Sequence, residues 1–290
     1  MHSSRMGFAV LLIALTACSK RAPVTSAPVP VETAPTPGLA YTAKEAAQYS
    51  YDFSDTTVSE IQAGPAGTIH VNIGVRGTAD LAFEPATADQ KVTITFPAFA
   101  GSFANSSGGA PVTATKADIT GPLIVNVRPR GTLTIIQRPQ VTSAFRTVSG
   151  SEGIYRRFFL QLPSRAVQVG ATWTDTTTTE ETNEGVTTKV QNIVHSTWTR
   201  DSTVAGKTLN VINFTADRTL EVSGTSQGVN IVQKLRGNAS GMALWDPQRR
   251  TLVSRQETAQ LNGTFDLPAM NMTNMPINAS GRASTRLRGG

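Results

Sequence analysis

Apolar and polar residues alternate one for one in run after run along this chain. In Thr68 to Val75 (TIHVNIGV), Ile69, Val71, Ile73 and Val75 share one face and Thr68, His70 and Asn72 the other. Two more such runs, PLIVNV and GTLTII, flank Arg128-Pro129-Arg130-Gly131, and Val190, Val194 and Trp198 share a face in KVQNIVHSTW. The segments Leu209 to Phe214, Val229 to Leu235, Met242 to Trp245 and Leu252 to Arg255 continue the pattern. Successive side chains point to opposite faces only in an extended strand, so period two means half-buried β-structure. Abundant threonine suits the exposed face of such a sheet.

The runs are punctuated by turn chemistry. Trp245-Asp246-Pro247-Gln248-Arg249-Arg250-Thr251 joins two of them, and adjacent Asp and Pro favour a tight turn. Asp201 to Lys207 is a second candidate turn. Strands this close in sequence leave no room for crossover helices, so the sheet is predicted to be antiparallel. Two stretches carry helical spacing. Ala43 to Tyr49 could form a short helix where the domain begins. Ser151 to Leu162 has a capping Ser151, Glu152 in its first turn, apolar residues at Ile154, Tyr155, Phe158, Phe159 and Leu162, and Pro163 as a stop. The expectation is an all-β fold: a curved antiparallel sheet, as a barrel, a half-barrel or a sandwich, with one short helix near 152–162. Residues 41–288 would make one domain, or two halves, 41–140 and 165–288, joined by that helix; its length suffices for a substantial core.

The N-terminus follows a different grammar. Met1 to Gly7 is polar with one cation, Arg5; Phe8 to Leu15 (FAVLLIAL) is unbroken apolar sequence; Thr16 and Ala17 are small. This is the order of a secretory signal peptide over 1–17, and its apolar run is too short to span a bilayer. Leu15-Thr16-Ala17-Cys18 resembles the lipobox of bacterial lipoproteins. The resemblance implies cleavage before Cys18, lipid on its thiol and on the new amino terminus, and attachment to a membrane through those acyl chains. Ser19 is compatible with the outer membrane in that family, which implies an outer-membrane protein facing the periplasm. Cys18 is the only cysteine, so nothing competes with this role. Pro23, Pro28, Pro30, Pro35 and Pro37 then mark a semi-rigid tether, so that 18–40 reads as anchor and spacer.

A second resemblance lies further on. Leu162-Pro163, then Val167-Gln168-Val169-Gly170-Ala171-Thr172-Trp173, and later Trp245-Asp246, is similar to a pattern in uncharacterised β-rich bacterial lipoproteins. The similarity spans about residues 150 to 255 and implies no activity. In physical terms Gly170 permits a tight turn and Trp173 anchors the strand that follows.

Several chemistries are disfavoured. A net charge of +6 without a Lys/Arg run argues against nucleic acid as a partner. The arginines Arg282, Arg286 and Arg288 read as the solvent face of a last strand. Gly224-Thr225-Ser226-Gln227-Gly228 fits the nucleophile-elbow pattern, but a strand-like run follows where a helix is required, and no histidine follows Ser226; a hairpin turn is the better reading. His70 and His195 lie outside any ligand-spaced cluster, so neither a metal nor a cofactor is expected. Asp175, Glu180, Glu181 and Glu184 sit in a Thr-rich stretch that reads as a solvated loop. The expected function is non-enzymatic: an envelope lipoprotein, tethered to the membrane through Cys18, whose β domain binds a lipid, another hydrophobic ligand or an envelope partner. Phe96, Phe99, Phe158, Phe159 and Trp173 are the candidate ligand-lining residues. The alternatives are a structural or adhesive envelope protein without a cavity, and a periplasmic hydrolase.

Overall fold

Short side chains between the alternating runs let those runs fuse into long strands. Val229 to Leu235 and Met242 to Trp245 are one strand, because Gly237, Ala239 and Gly241 continue the extended backbone between them. A computed structural model describes residues 39–289 except 43–44, 65–66, 87–88, 150–152, 184, 205 and 227–228. Cys18, the signal segment and the tether as far as residue 38 lie outside the described residues.

In chain order the elements are β1 (Ala47–Gln62), β2 (Thr68–Phe83), β3 (Gln90–Asn105), β4 (Val112–Thr115), β5 (Ile119–Thr120), β6 (Leu123–Val127), β7 (Leu133–Gln137), β8 (Gln140–Val141), α1 (Ser143–Ser149), α2 (Gly153–Arg156), β9 (Thr172–Asn183), β10 (Val186–Val204), β11 (Lys207–Ser226), β12 (Val229–Asp246), β13 (Thr251–Leu267) and β14 (Met272–Leu287). The main sheet runs β7-β6-β3-β2-β1-β14-β13-β12-β11-β10-β9, with β4 also on β3, and β5 pairs with β8 apart from it. Every described ladder is antiparallel. Most neighbours are consecutive hairpins; the long-range seam is β1 against β14, from Tyr51 opposite Leu287 to Ile61 opposite Ile277. The sheet is open, with β7 and β9 as its edges, so it is not a closed barrel.

One face, called inner here, carries the core. Tyr51, Phe53 and Ile61 of β1, Leu81 and Phe83 of β2, and Val92, Ile94 and Phe96 of β3 are buried on it with Leu123, Val125 and Val127 of β6. Helix α1 packs on β2, β3 and β4. Helix α2 and the chain after it then fill the space above β1. Ile154, Tyr155, Phe158, Phe159, Leu160 and Leu162 are all buried.

Burial on nearly consecutive residues explains why the helix expected over 151–162 is confined to Gly153–Arg156. An amphipathic helix leaves one side wet, and this segment has none. Its backbone is satisfied elsewhere: the Leu160 amide donates to Tyr41 Oη at 2.7 Å and the Leu162 amide to Arg130 O at 2.8 Å. The short helix expected over Ala43–Tyr49 is also replaced, since β1 starts at Ala47. Tyr49 packs edge-on to Phe83, with ring centroids 5.5 Å apart, in phase with Tyr51 and Phe53. The Thr-rich stretch is not a loop but the edge strand β9, held in continuous register with β10 from Thr172 opposite Thr197 to Asn183 opposite Val186. β-branched threonine favours this extended state. The turn expected over Asp201–Lys207 is narrower, because β10 runs on to Val204.

The Asp246 hairpin forms as its residues predict. β12 ends at Asp246, whose Oδ1 accepts the amides of Gln248 and Arg249, both at 2.9 Å, and Thr251 opens β13 opposite it. Just ahead of β1, Leu39 and Ala40 are buried with Tyr41. The Tyr41 amide donates to Pro129 O at 2.9 Å, and Arg250 Nη1 donates to Thr42 O at 2.6 Å. Tyr41 meets Trp245 edge-on at 4.7 Å, closing this end of the core.

Candidate functional site

Registers across the seam place charged groups on the inner face beside a floor of very small residues. One row runs Asp55, Ala283, Glu257, Gly241, Phe214 from β1 to β11. The next is Thr57, Gly281, Ala259, Ala239, Ala216, and the next Ser59, Ala279, Leu261, Gly237, Arg218, with Asn192 of β10 opposite Arg218. Alanine and glycine leave room above the sheet, and long side chains lie across it. Arg218 reaches over Ala239 and Ala259 to Glu257, with Nη2 2.9 Å from Oε1, while its Nε donates to Asn192 Oδ1 at 2.6 Å. Arg255 Nη2 donates to the other Glu257 oxygen at 2.6 Å. Arg157, just beyond α2, donates from Nη2 to Asp55 Oδ2 at 2.9 Å.

The five charges form one electrostatic unit. Arg157 feels Arg255 and Glu257 as well as Asp55, and Asp55 feels Glu257 and Arg218. Burial pushes the Asp55 carboxyl upward by more than Arg157 pulls it down, so its pKa is raised. Burial acts the same way on Glu257, but Arg255 and Arg218 outweigh it and its pKa is lowered. Two guanidiniums also lie over aromatic rings: Arg255 is 4.7 Å from the Phe214 centroid and Arg157 5.5 Å from that of Phe53. Such stacking contributes about 0.5–2 kcal/mol, more where water is excluded.

Beside this band the inner face is apolar and only half covered. Ile73, Leu261, Ala279, Leu220 and Val190 are half-buried, in contrast to Ile61, Ile277 and Phe265 at the end of the sheet, which are buried. This half-covered strip, called the trough, lies between the charged band and the buried Ile61, Ile277 and Phe265. The opposite, outer face has a different surface. An open groove of about 580 Å³ crosses β1, β14, β13 and β12 there, lined mainly by Ser54, Thr56, Ser240, Thr258, Gln256, Ser284, Met242 and Arg282.

The sequence-predicted residues fall as follows. Phe96, Phe99, Phe158 and Phe159 are buried against other aromatic rings: Phe53 meets both Phe96 and Phe158, Phe99 meets Phe145, and Phe159 meets Tyr41 and Phe83. They belong to the packed part of the inner face, away from the trough. Trp173 is half-buried at the start of β9, its Nε1 donating to Gln161 O at 3.1 Å, and Gly170 makes the preceding turn with φ +91°. His70 and His195 are both exposed on the outer face with five strands between them, His70 Nδ1 3.6 Å from Glu60 and His195 Nε2 3.8 Å from Asp217. Ser226 closes β11 opposite Val229 at the hairpin to β12. Arg282 and Arg286 lie on the exposed face of β14.

Sequence reasoning missed the charged band, although a signal was present. Arg255, Glu257, Ala259 and Leu261 are in phase with buried Phe265, so two charges sit at positions the alternation assigns to the inside. No known protein family matches the chain, and no curated protein matches it.

Proposed function

We propose that this chain is a lipid-anchored protein of the bacterial cell envelope, held at the outer membrane on its periplasmic side through Cys18, and that its β domain binds a lipid or other hydrophobic ligand without catalysing a reaction. The observation that carries the binding role is the half-covered trough of Ile73, Leu261, Ala279, Leu220 and Val190, since folding normally buries a run of aliphatic side chains this extended. The lipobox-like Leu15-Thr16-Ala17-Cys18 supports the location. The hydrolase alternative gains little, because Asp55 and Glu257 are engaged by arginines and do not stand free as an acid–base pair.

Two measurements test the reading. The wild-type chain is expected to incorporate labelled palmitate and Cys18→Ser to incorporate none; a wild-type chain that takes up no label, or a variant labelled equally, overturns the anchor. For the ligand, the protein is purified from its own membrane and its lipid extract analysed by mass spectrometry. A stoichiometric lipid supports the trough as a binding site, whereas a ligand-free domain favours the structural or adhesive alternative.

A further inference from the structure

The charged band is unbalanced in a way its own residues do not resolve. Three guanidiniums, Arg157, Arg218 and Arg255, face two carboxylates, Asp55 and Glu257. Glu257 uses both of its oxygens on Arg218 and Arg255. Arg157 is 11 % exposed, and Asp55 takes only its Nη2. Its Nε and Nη1 are buried with no acceptor among the described residues. A guanidinium is always charged and carries five donors, so leaving two of its nitrogens unmatched away from water is unfavourable unless something supplies an acceptor. The two nitrogens call for an acceptor, an oxyanion would also balance the third guanidinium, and the surface next to it is apolar.

We propose, building on the ligand-binding role above, that Arg157, with Arg218 and Arg255, receives the anionic head of an acyl lipid whose chain lies along the trough. The arrangement matches such a molecule end to end. The head meets net positive charge in a partly desolvated place, where a charge-assisted hydrogen bond is strongest. The chain lies over Leu261, Ala279 and Leu220, which are half-buried. Asp55 and Glu257 hold the guanidiniums in place in the empty state and do not themselves bind the ligand.

The test is competition for a fluorescent apolar probe, N-phenyl-1-naphthylamine, on the full chain purified and delipidated. Oleate and oleyl alcohol share a chain and differ in the head. Oleate is expected to displace the probe at about tenfold lower concentration, the ratio that roughly one charge-assisted hydrogen bond commands. In the double variant Asp55→Asn with Arg157→Met, which removes the ion pair together and strands neither charge, the two competitors should become equal while the probe still binds. If the double variant does not fold by circular dichroism, Arg218→Gln, which leaves Glu257 paired with Arg255, must lower the preference several-fold. Equal competition in the wild type overturns this inference and leaves the hydrophobic-ligand reading standing. A preference that survives in the folded variant also overturns it. Failure of the probe and both competitors to bind overturns both.

Discussion

Two glycines with nearly the same backbone conformation offer an internal control on what holds the core closed. Gly131 has φ +88° and Gly170 has φ +91°. A methyl group at Gly170 would meet nothing within 4 Å, whereas at Gly131 it would overlap the Leu160 carbonyl and come within 3.0 Å of Tyr41 Cε2. Gly170→Ala therefore reports left-handed strain alone, about 1–2 kcal/mol. Gly131→Ala adds overpacking of about 1–3 kcal/mol. It also pushes on a segment fixed by two bonds, Leu162 N to Arg130 O at 2.8 Å and Gln161 Nε2 to Gly131 O at 3.0 Å. The sums are about 1–2 kcal/mol for the first variant and about 2–5 kcal/mol for the second. At about 3 °C per kcal/mol for a domain of this size, melting should fall by about 3–6 °C and about 6–15 °C. Thermal unfolding followed by far-ultraviolet circular dichroism reads both. If the two variants melt within about 2 °C of each other, the Leu160 segment is not packed against the β6–β7 turn as described, and the account of how the post-α2 chain closes the core is wrong.

Trp245→Ala empties a fully buried site against Tyr41, and urea unfolding should show a loss of about 3–5 kcal/mol; a loss under about 1 kcal/mol would contradict the packing. Asp246→Ala removes the acceptor for two turn amides and should lower stability by about 1–2 kcal/mol in the same assay. Glu257→Gln tests the charged band through pH. The folded pKa of Glu257 lies below its ordinary 4.5, so its ionised form stabilises the fold above that value, and this contribution is lost as pH falls through the lowered pKa. The stability gap between wild type and variant should therefore be widest at neutral pH and shrink below pH 4.5; a constant gap refutes the assignment. Asp55 has the opposite sign: its raised pKa makes ionisation unfavourable to the fold, and acidification relieves that penalty.

The sheet was legible because alternation is a local property. Thr68 to Val75 shows its two faces without reference to any partner, and Asp246-Pro247 carries its own turn. The full strand lengths were harder to read, since Asn238-Ala239-Ser240-Gly241 has the composition of a turn and is strand only because β11 and β13 flank it on both sides. The segment 154–162 has helical spacing, yet its amides find partners in Tyr41 and Arg130, residues remote in sequence. The same holds for the charged band: Arg218 and Glu257 meet across the β11–β12–β13 hairpins, and Asp55 with Arg157 joins them only because β1 pairs with β14. Arg157, in Arg156-Arg157-Phe158-Phe159, reads as surface until that pairing is known.

The β1–β14 seam has a kinetic consequence. β1 can pair with β2 as soon as both have been made, but its other side waits for the last strand of the chain. Closing a loop of that length carries an entropy penalty of about 5 kcal/mol, which the other ladders of this sheet, joined by short turns, largely avoid. The two hairpin arrays on either side can thus assemble early, each exposing a long unpaired edge, and the barrier to folding should lie in zipping them together. A chain cut short before β14 would keep both edges open, and its fate would be self-association rather than simple instability.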